Sequence, residues 1–150
     1  MAKLTLDQAS KIIEAASAKA KAQKMNPLTI AVLDDGGHLK AFVRPDGPGG
    51  PLRPHIAIGK AWGAVAFGMS SRMLESRFNA RPHFLNALIN VSSSVGGGLI
   101  PVPGGVIIRA PDGEILGAVG ASGDTSDNDE LAAVAGIEAA GLKADAGQQN

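Results

Sequence analysis

The chain of 150 residues contains no cysteine. Disulfides, thiolate metal sites and cysteine nucleophiles are therefore excluded. Aromatic residues are scarce, with four Phe, one Trp and no Tyr. Neither sign of charge prevails: 14 Lys plus Arg against 14 Asp plus Glu give zero formal net charge. A nucleic-acid binder would show a basic stripe, so no nucleic-acid partner is expected. The same balance gives little attraction to an anionic membrane surface. No apolar run reaches the roughly 20 residues of a membrane span. Met1-Ala2-Lys3-Leu4 leads straight into an amphipathic pattern and does not read as a signal peptide, so the expected location is cytoplasmic.

What is present is small and apolar. Apolar residues make up 45% of the chain, and there are 20 glycines. The length fits a single domain spanning 1–150. A core built from Gly and Ala either closes tightly or leaves a cavity. The sparse aromatics and Gly-rich strand faces also favour a core completed by a partner copy, which predicts a homo-oligomer.

The chain opens on a capping box, with Thr5 as cap and Gln8 reaching back. Leu6, Ala9, Ile13, Ala16 and Ala20 then share one helical face, predicting a helix over about 6–24. Strands follow at 28–33 and 38–44, joined at Asp34-Asp35-Gly36-Gly37. Segment 45–51 is a Pro/Gly loop. Pro54 suits the first turn of a helix running from His55 to Phe67. Short helices are expected at 71–78 and 82–89, a flexible connector at 92–98, and strands at 99–102, 105–109 and 114–121. Ser126 is expected to cap a last helix over about 127–140, with Asp127, Asp129 and Glu130 suiting its dipole and Gly141 ending it. The tail from Ala144 is expected to fray. Hairpins dominate this order. The fold class is therefore α/β in the α+β sense: a five-stranded, mainly antiparallel sheet with helices on both faces.

Three histidines could bind a metal or move a proton: His38, His55 and His83. His38 reads as an exposed strand residue. His55 opens a helix beside the Pro/Gly loop, where the helix dipole favours the neutral imidazole that can coordinate iron. His83 follows Pro82 in a similar setting. No histidine pair has zinc-ligand spacing. Arg44 and Arg53 flank the Pro/Gly loop and could hold a carboxylate. Segment 117–125, which includes Ser122 and Gly123, joins a strand to a helix N-terminus, a setting that attracts anions. It is neither a P-loop nor a nucleophile elbow, since Asp124 stands where the elbow needs Gly. The acids behind it favour capping and close packing there. Asp34-Asp35 is accounted for by turn chemistry.

Three separated motifs carry a resemblance. Ala57-Ile58-Gly59-Lys60-Ala61-Trp62 is similar to an "IA-x-x-KA" helix, and residues 101–108 to a "vPGGvPI" turn with Ile107 in place of proline. Residues 112–123 are similar to "dGevvGaiGvSGg", and Asp129-Glu130 followed by Gly136-Ile137 completes the pattern. Over about 5–143 the chain resembles the GlcG/HbpS family, also called haem-degrading or DUF336, to which the C-terminal domain of PduO is related. The resemblance implies a profilin-like fold, assembly into homo-oligomers and, in some members, haem binding or degradation. On that reading a flat, anionic ligand, haem being the possible cofactor, lies between the sheet and the helix starting at His55. His55 would meet the iron and Lys60 a propionate, with Arg44, Arg53, His83, Ser122 and Gly123 as further ligand contacts. Two alternatives remain open. One is a catabolic enzyme acting on a small carboxylate, with His55 and Lys60 catalytic and Arg44 as clamp. The other is a structural or regulatory homo-oligomer without ligand.

Overall fold

In a computed structural model, which describes residues 2–147, the chain forms five helices and five strands. Met1 and the tail residues 148–150 lie outside the described residues.

Helix α1 (Leu6–Ala22) starts as its sequence dictates: the Thr5 side chain accepts from Gln8 N, and the Gln8 side chain accepts from Thr5 N, both at 3.0 Å. Its buried stripe is Ala9, Ile12, Ala16 and Ala20. Leu6 is exposed, and Ile12 takes the central place expected of Ile13. The stripe is rotated because α1 packs against helix α5 (Ser126–Ala139) as well as against the sheet. Thr125, rather than Ser126, caps α5, accepting from Asn128 N. Gly141, at φ +78°, closes the helix end.

The sheet order is β2-β1-β4-β3-β5 and every pairing is antiparallel. β1 (Thr29–Asp34) and β2 (Leu39–Val43) form a hairpin in which Asp34 Oδ1 accepts from both Gly36 N and His38 N at 3.0 Å. β3 (Gly105–Arg109) and β4 (Ile115–Ser122) form the second hairpin, and β4 sits at the centre of the sheet.

The strand expected at 99–102 is absent. Pro101 and Pro103 cannot donate to a ladder, and Ile100 N bonds instead to Gly59 O at 3.3 Å. The fifth strand is β5 (Lys143–Asp145), in the segment expected to fray. It pairs with β3 and is held by Arg109 Nε donating to Asp145 Oδ2 at 2.8 Å.

Helices cover both faces of the sheet. α1 and α5 bury one face with Ile30, Val32, Val106, Ile108 and Val119. α2 (Arg53–Phe67) covers the other, over Leu33, Ile107 and Ala118. The glycines decide how closely α2 sits. A Cβ at Gly120 would lie 1.9 Å from Ala57 O, and one at Gly105 would lie 2.3 Å from Lys60 O. The small-residue composition therefore produces tight helix-on-sheet packing on this face. α3 (Ser71–Phe78) and α4 (Pro82–Val95) form an outlying pair with a small core of Leu74, Phe78 and Leu99. α4 continues to Val95, into the first half of the segment expected to be a flexible connector. The hydroxyls of Ser92, Ser93 and Ser94 fold back onto Ile89 O and Val91 O, so serine does not break the helix.

Candidate functional site

α2 begins without a side-chain cap, and Pro54 in its first turn removes a donor the helix cannot use. Two successive sites on this first turn point in different directions. Arg53 Nη1 donates to Ser122 Oγ at 3.0 Å, tying the helix start to the end of β4. His55 is exposed, and its imidazole makes no hydrogen bond among the described residues. It lines a pocket of about 380 Å³ with Ile58, Ile89, Ser93 and residues 96–100. No Lys or Arg lines that pocket.

The pocket wall exists because Trp62 replaces side chains at the glycines. A Cβ at Gly96 would fall 2.0 Å from Trp62 Cζ2, and one at Gly97 would fall 2.9 Å from Trp62 Cγ. The indole thus lies directly under two of the lining residues. The sequence places Trp62 within reach of His55 but gives no sign that the 96–98 run packs on it.

Lys60 lies elsewhere. One and a half turns beyond His55, its side chain runs past Gly104 to the end of the sheet and is 2% exposed. Nζ donates to Ala121 O at 2.9 Å and to Asp129 Oδ2 at 3.1 Å. Asp129 is equally buried, and its Oδ1 accepts from Asp124 N at 2.9 Å. Desolvation pushes the Lys60 ammonium below the usual lysine range and the Asp129 carboxyl above the usual aspartate range; in both, the attraction of the partner opposes it. The structure does not bring His55 and Lys60 together, and the ammonium expected to meet a ligand anion is occupied by Asp129. The sequence reading assigned Asp129 to the helix dipole. Its place at the fourth residue of an acidic first turn, together with a single lysine flanked by Gly59 and Ala61 in α2, was the available signal.

Ser122 and Gly123 serve packing. Ser122 is 1% exposed, and a Cβ at Gly123 would lie 2.2 Å from Pro27 O. Arg44 and Arg53 do meet, across a cleft of about 10 Å³ lined also by Pro27, Thr29 and the 45–49 loop. That space holds about one water. His38 is on the hairpin, 3.4 Å from Asp34, and His83 is exposed at the start of α4. The described residues contain no group of three or more His, Cys, Asp or Glu side chains able to hold a metal ion. None of the described helices is long and apolar enough to cross a membrane.

Known proteins share this architecture. The structure of a PduOC–haem complex superposes with a TM-score of 0.77 at 24% identity, covering 98% of this chain and all of that one. A double mutant of HbpS from Streptomyces reticuli superposes with a TM-score of 0.75 at 27% identity, covering 92% of this chain and 87% of that one. The protein GlcG of Escherichia coli K12 is 37% identical over 121 residues, 79% of this chain and 81% of that protein. The family model described as haem degrading protein HbpS-like matches residues 4–138, the span that contains both sheet faces, the His55 pocket and the Lys60–Asp129 pair. The chain therefore belongs to the HbpS-like family.

Proposed function

We propose that the protein binds haem, or another flat molecule with an apolar body and anionic edge, in the pocket beside His55. The observation that carries this reading is an imidazole with no hydrogen-bond partner, at the mouth of an apolar pocket of about 380 Å³. That volume lies within the range of small-molecule sites. Family membership and the haem complex of a structural neighbour support the same chemistry.

The residues fit haem in part. His55 would offer a ring nitrogen to the iron, and Ile58, Ile89, Leu99 and Ile100 offer an apolar wall. No cation lines the pocket, so propionates would stay at its open mouth in water rather than meet Lys60. When bound, haem would supply an iron centre; the chain's own part is to hold the ring edge, present the imidazole and exclude water from one face. The carboxylate-enzyme reading has less support: the Arg44–Arg53 cleft is too small for an organic acid, and Lys60 is enclosed.

Titration with haem, followed by the Soret band and Trp62 emission, tests the proposal. Wild type is expected to develop a shifted Soret band with quenched emission. His55→Ala is expected to weaken binding at least tenfold. Equal haem affinity in wild type and His55→Ala would overturn the assignment.

A further inference from the structure

Arg44 and Arg53 carry charges that no carboxylate meets: the ion pairs among the described residues include neither guanidinium. Asp46, the acid nearest to them in sequence, lines a different cavity together with Lys21. The fold nevertheless brings the two arginines to one cleft. Val43 pairs with Ile30, so Arg44 leaves the end of β2 beside Thr29, and Thr29 pairs with Ser122 across β1 and β4. Arg53 reaches this row from the start of α2 and donates one bond, of 3.0 Å, to Ser122 Oγ. A guanidinium has five N–H donors, and this bond uses one of them.

The surroundings add positive charge and one more donor. α2 begins with no side-chain cap and no acidic residue in its first turn, so the positive end of its dipole stands uncompensated beside Arg53. Arg53 is near enough to Lys60 to oppose the lysine's charge, and Asp129 is bonded to Lys60 rather than to Arg53. Thr29 is 4% exposed and lines the cleft, and its hydroxyl makes no hydrogen bond among the described residues. No sealed side-chain N or O atom of those residues lacks a partner, so this hydroxyl opens on the cleft.

We propose that the cleft is a binding site for a small monovalent inorganic anion, a halide or a small oxyanion such as nitrate, held by Arg44, Arg53 and the Thr29 hydroxyl. The donor set fixes the sign of the ligand, and the volume fixes its size. About 10 Å³ has room for one water-sized centre, so a halide or a single oxygen of an oxyanion enters and a carbon skeleton does not. Bound there, the anion ties the end of β2 to β1 and to the start of α2. The cleft shares no residue with the pocket beside His55, so the inference stands independently of the haem reading.

Quadrupolar broadening of the chloride NMR line by the full chain without haem tests it. Wild type is expected to broaden the line saturably, and equimolar gluconate is expected not to reverse the effect. Nitrate that displaces chloride assigns the site to halides and oxyanions, and nitrate that does not assigns it to halides alone; either result supports the proposal. Arg44→Gln and Thr29→Val, the latter removing the hydroxyl while keeping the side chain's size, are each expected to weaken chloride binding at least tenfold. Arg77→Gln removes an exposed cation of α3 and is expected to change nothing. The thermal midpoint gives a second readout: at equal ionic strength it is expected to be higher in chloride than in gluconate for wild type, and equal in the two salts for Arg44→Gln. Absence of saturable broadening, equal loss in Arg77→Gln, retention in both Arg44→Gln and Thr29→Val, reversal by gluconate, or a wild-type midpoint equal in the two salts would each overturn the proposal.

Discussion

Lys60 and Asp129 meet around the end of the sheet, Nζ 3.1 Å from Oδ2, each side chain 2% exposed, so that a helix on one face is bonded to a helix on the other. A buried pair of this kind adds little net stability, because desolvation of both ions offsets their attraction, but breaking it is costly.

The first prediction follows from that asymmetry. Lys60→Met leaves a buried carboxylate without its cation and is expected to lose about 3–5 kcal/mol in urea denaturation. Lys60→Met/Asp129→Leu is expected to recover to within about 2 kcal/mol of wild type. If the double variant is no more stable than the single one, the pair is not the unit of stability.

The pH dependence of Lys60→Met has a definite sign. Burial already raises the Asp129 carboxyl above the usual aspartate range, and removing Lys60 removes an opposing influence. Between the unfolded-state and folded-state ionisation the folded state holds a proton that the unfolded state has released. Stability of the variant is therefore expected to fall as pH rises from about 4 until the folded-state carboxyl ionises. A flat or rising profile over the acid range would contradict this.

Gly105→Val is expected to damage the fold far more than His55→Ala. The reason is close approach rather than a forbidden φ: the positive φ, +126°, belongs to Gly104, whereas a Cβ at Gly105 would press within 2.3 Å of Lys60 O. Backbone must shift, at a cost on the order of 3 kcal/mol. Truncating the exposed His55 is expected to stay within about 0.5 kcal/mol. Equal melting temperatures would refute the packing account.

Gly96→Ala is expected to act locally. Its methyl group would fall on the Trp62 ring, so the indole or the loop must move. Trp62 emission is expected to shift and haem affinity to drop, with the far-ultraviolet circular dichroism retained. Unchanged emission would mean that the loop does not rest on the indole in solution.

Removal of divalent metal is expected to leave stability unchanged, since no described cluster of ligands could hold an ion. A lower melting temperature in EDTA would contradict this.

Much of the fold was legible in the sequence. The Thr5–Gln8 capping box, the Asp34–Gly37 turn, both hairpins and the antiparallel five-stranded class follow from local chemistry that acts over a few residues. The errors were also local in origin. Three serines and three glycines at 92–98 read as a linker, although Ser92 to Ser94 satisfy themselves within a helix. The apolar run Leu99 to Val102 read as a strand, although Pro101 within it and Pro103 after it cannot donate to a ladder.

The candidate site divides in the same way. The sequence by itself determined that chemistry rests on oxygen and nitrogen ligands without thiols, and that His55 stands at the start of a helix beside the Pro/Gly loop. Only the tertiary structure decided that Lys60 turns away from His55 to Asp129, 69 residues distant, and that Trp62 forms the floor beneath Gly96 and Gly97. It also decided that β5 replaces the strand expected at 99–102. The physical reason is range. Caps and turns are fixed by hydrogen bonds between near neighbours, whereas the partner of a buried charge is chosen by how closely a helix can approach the sheet, and here glycines at 104, 105 and 120 set that distance.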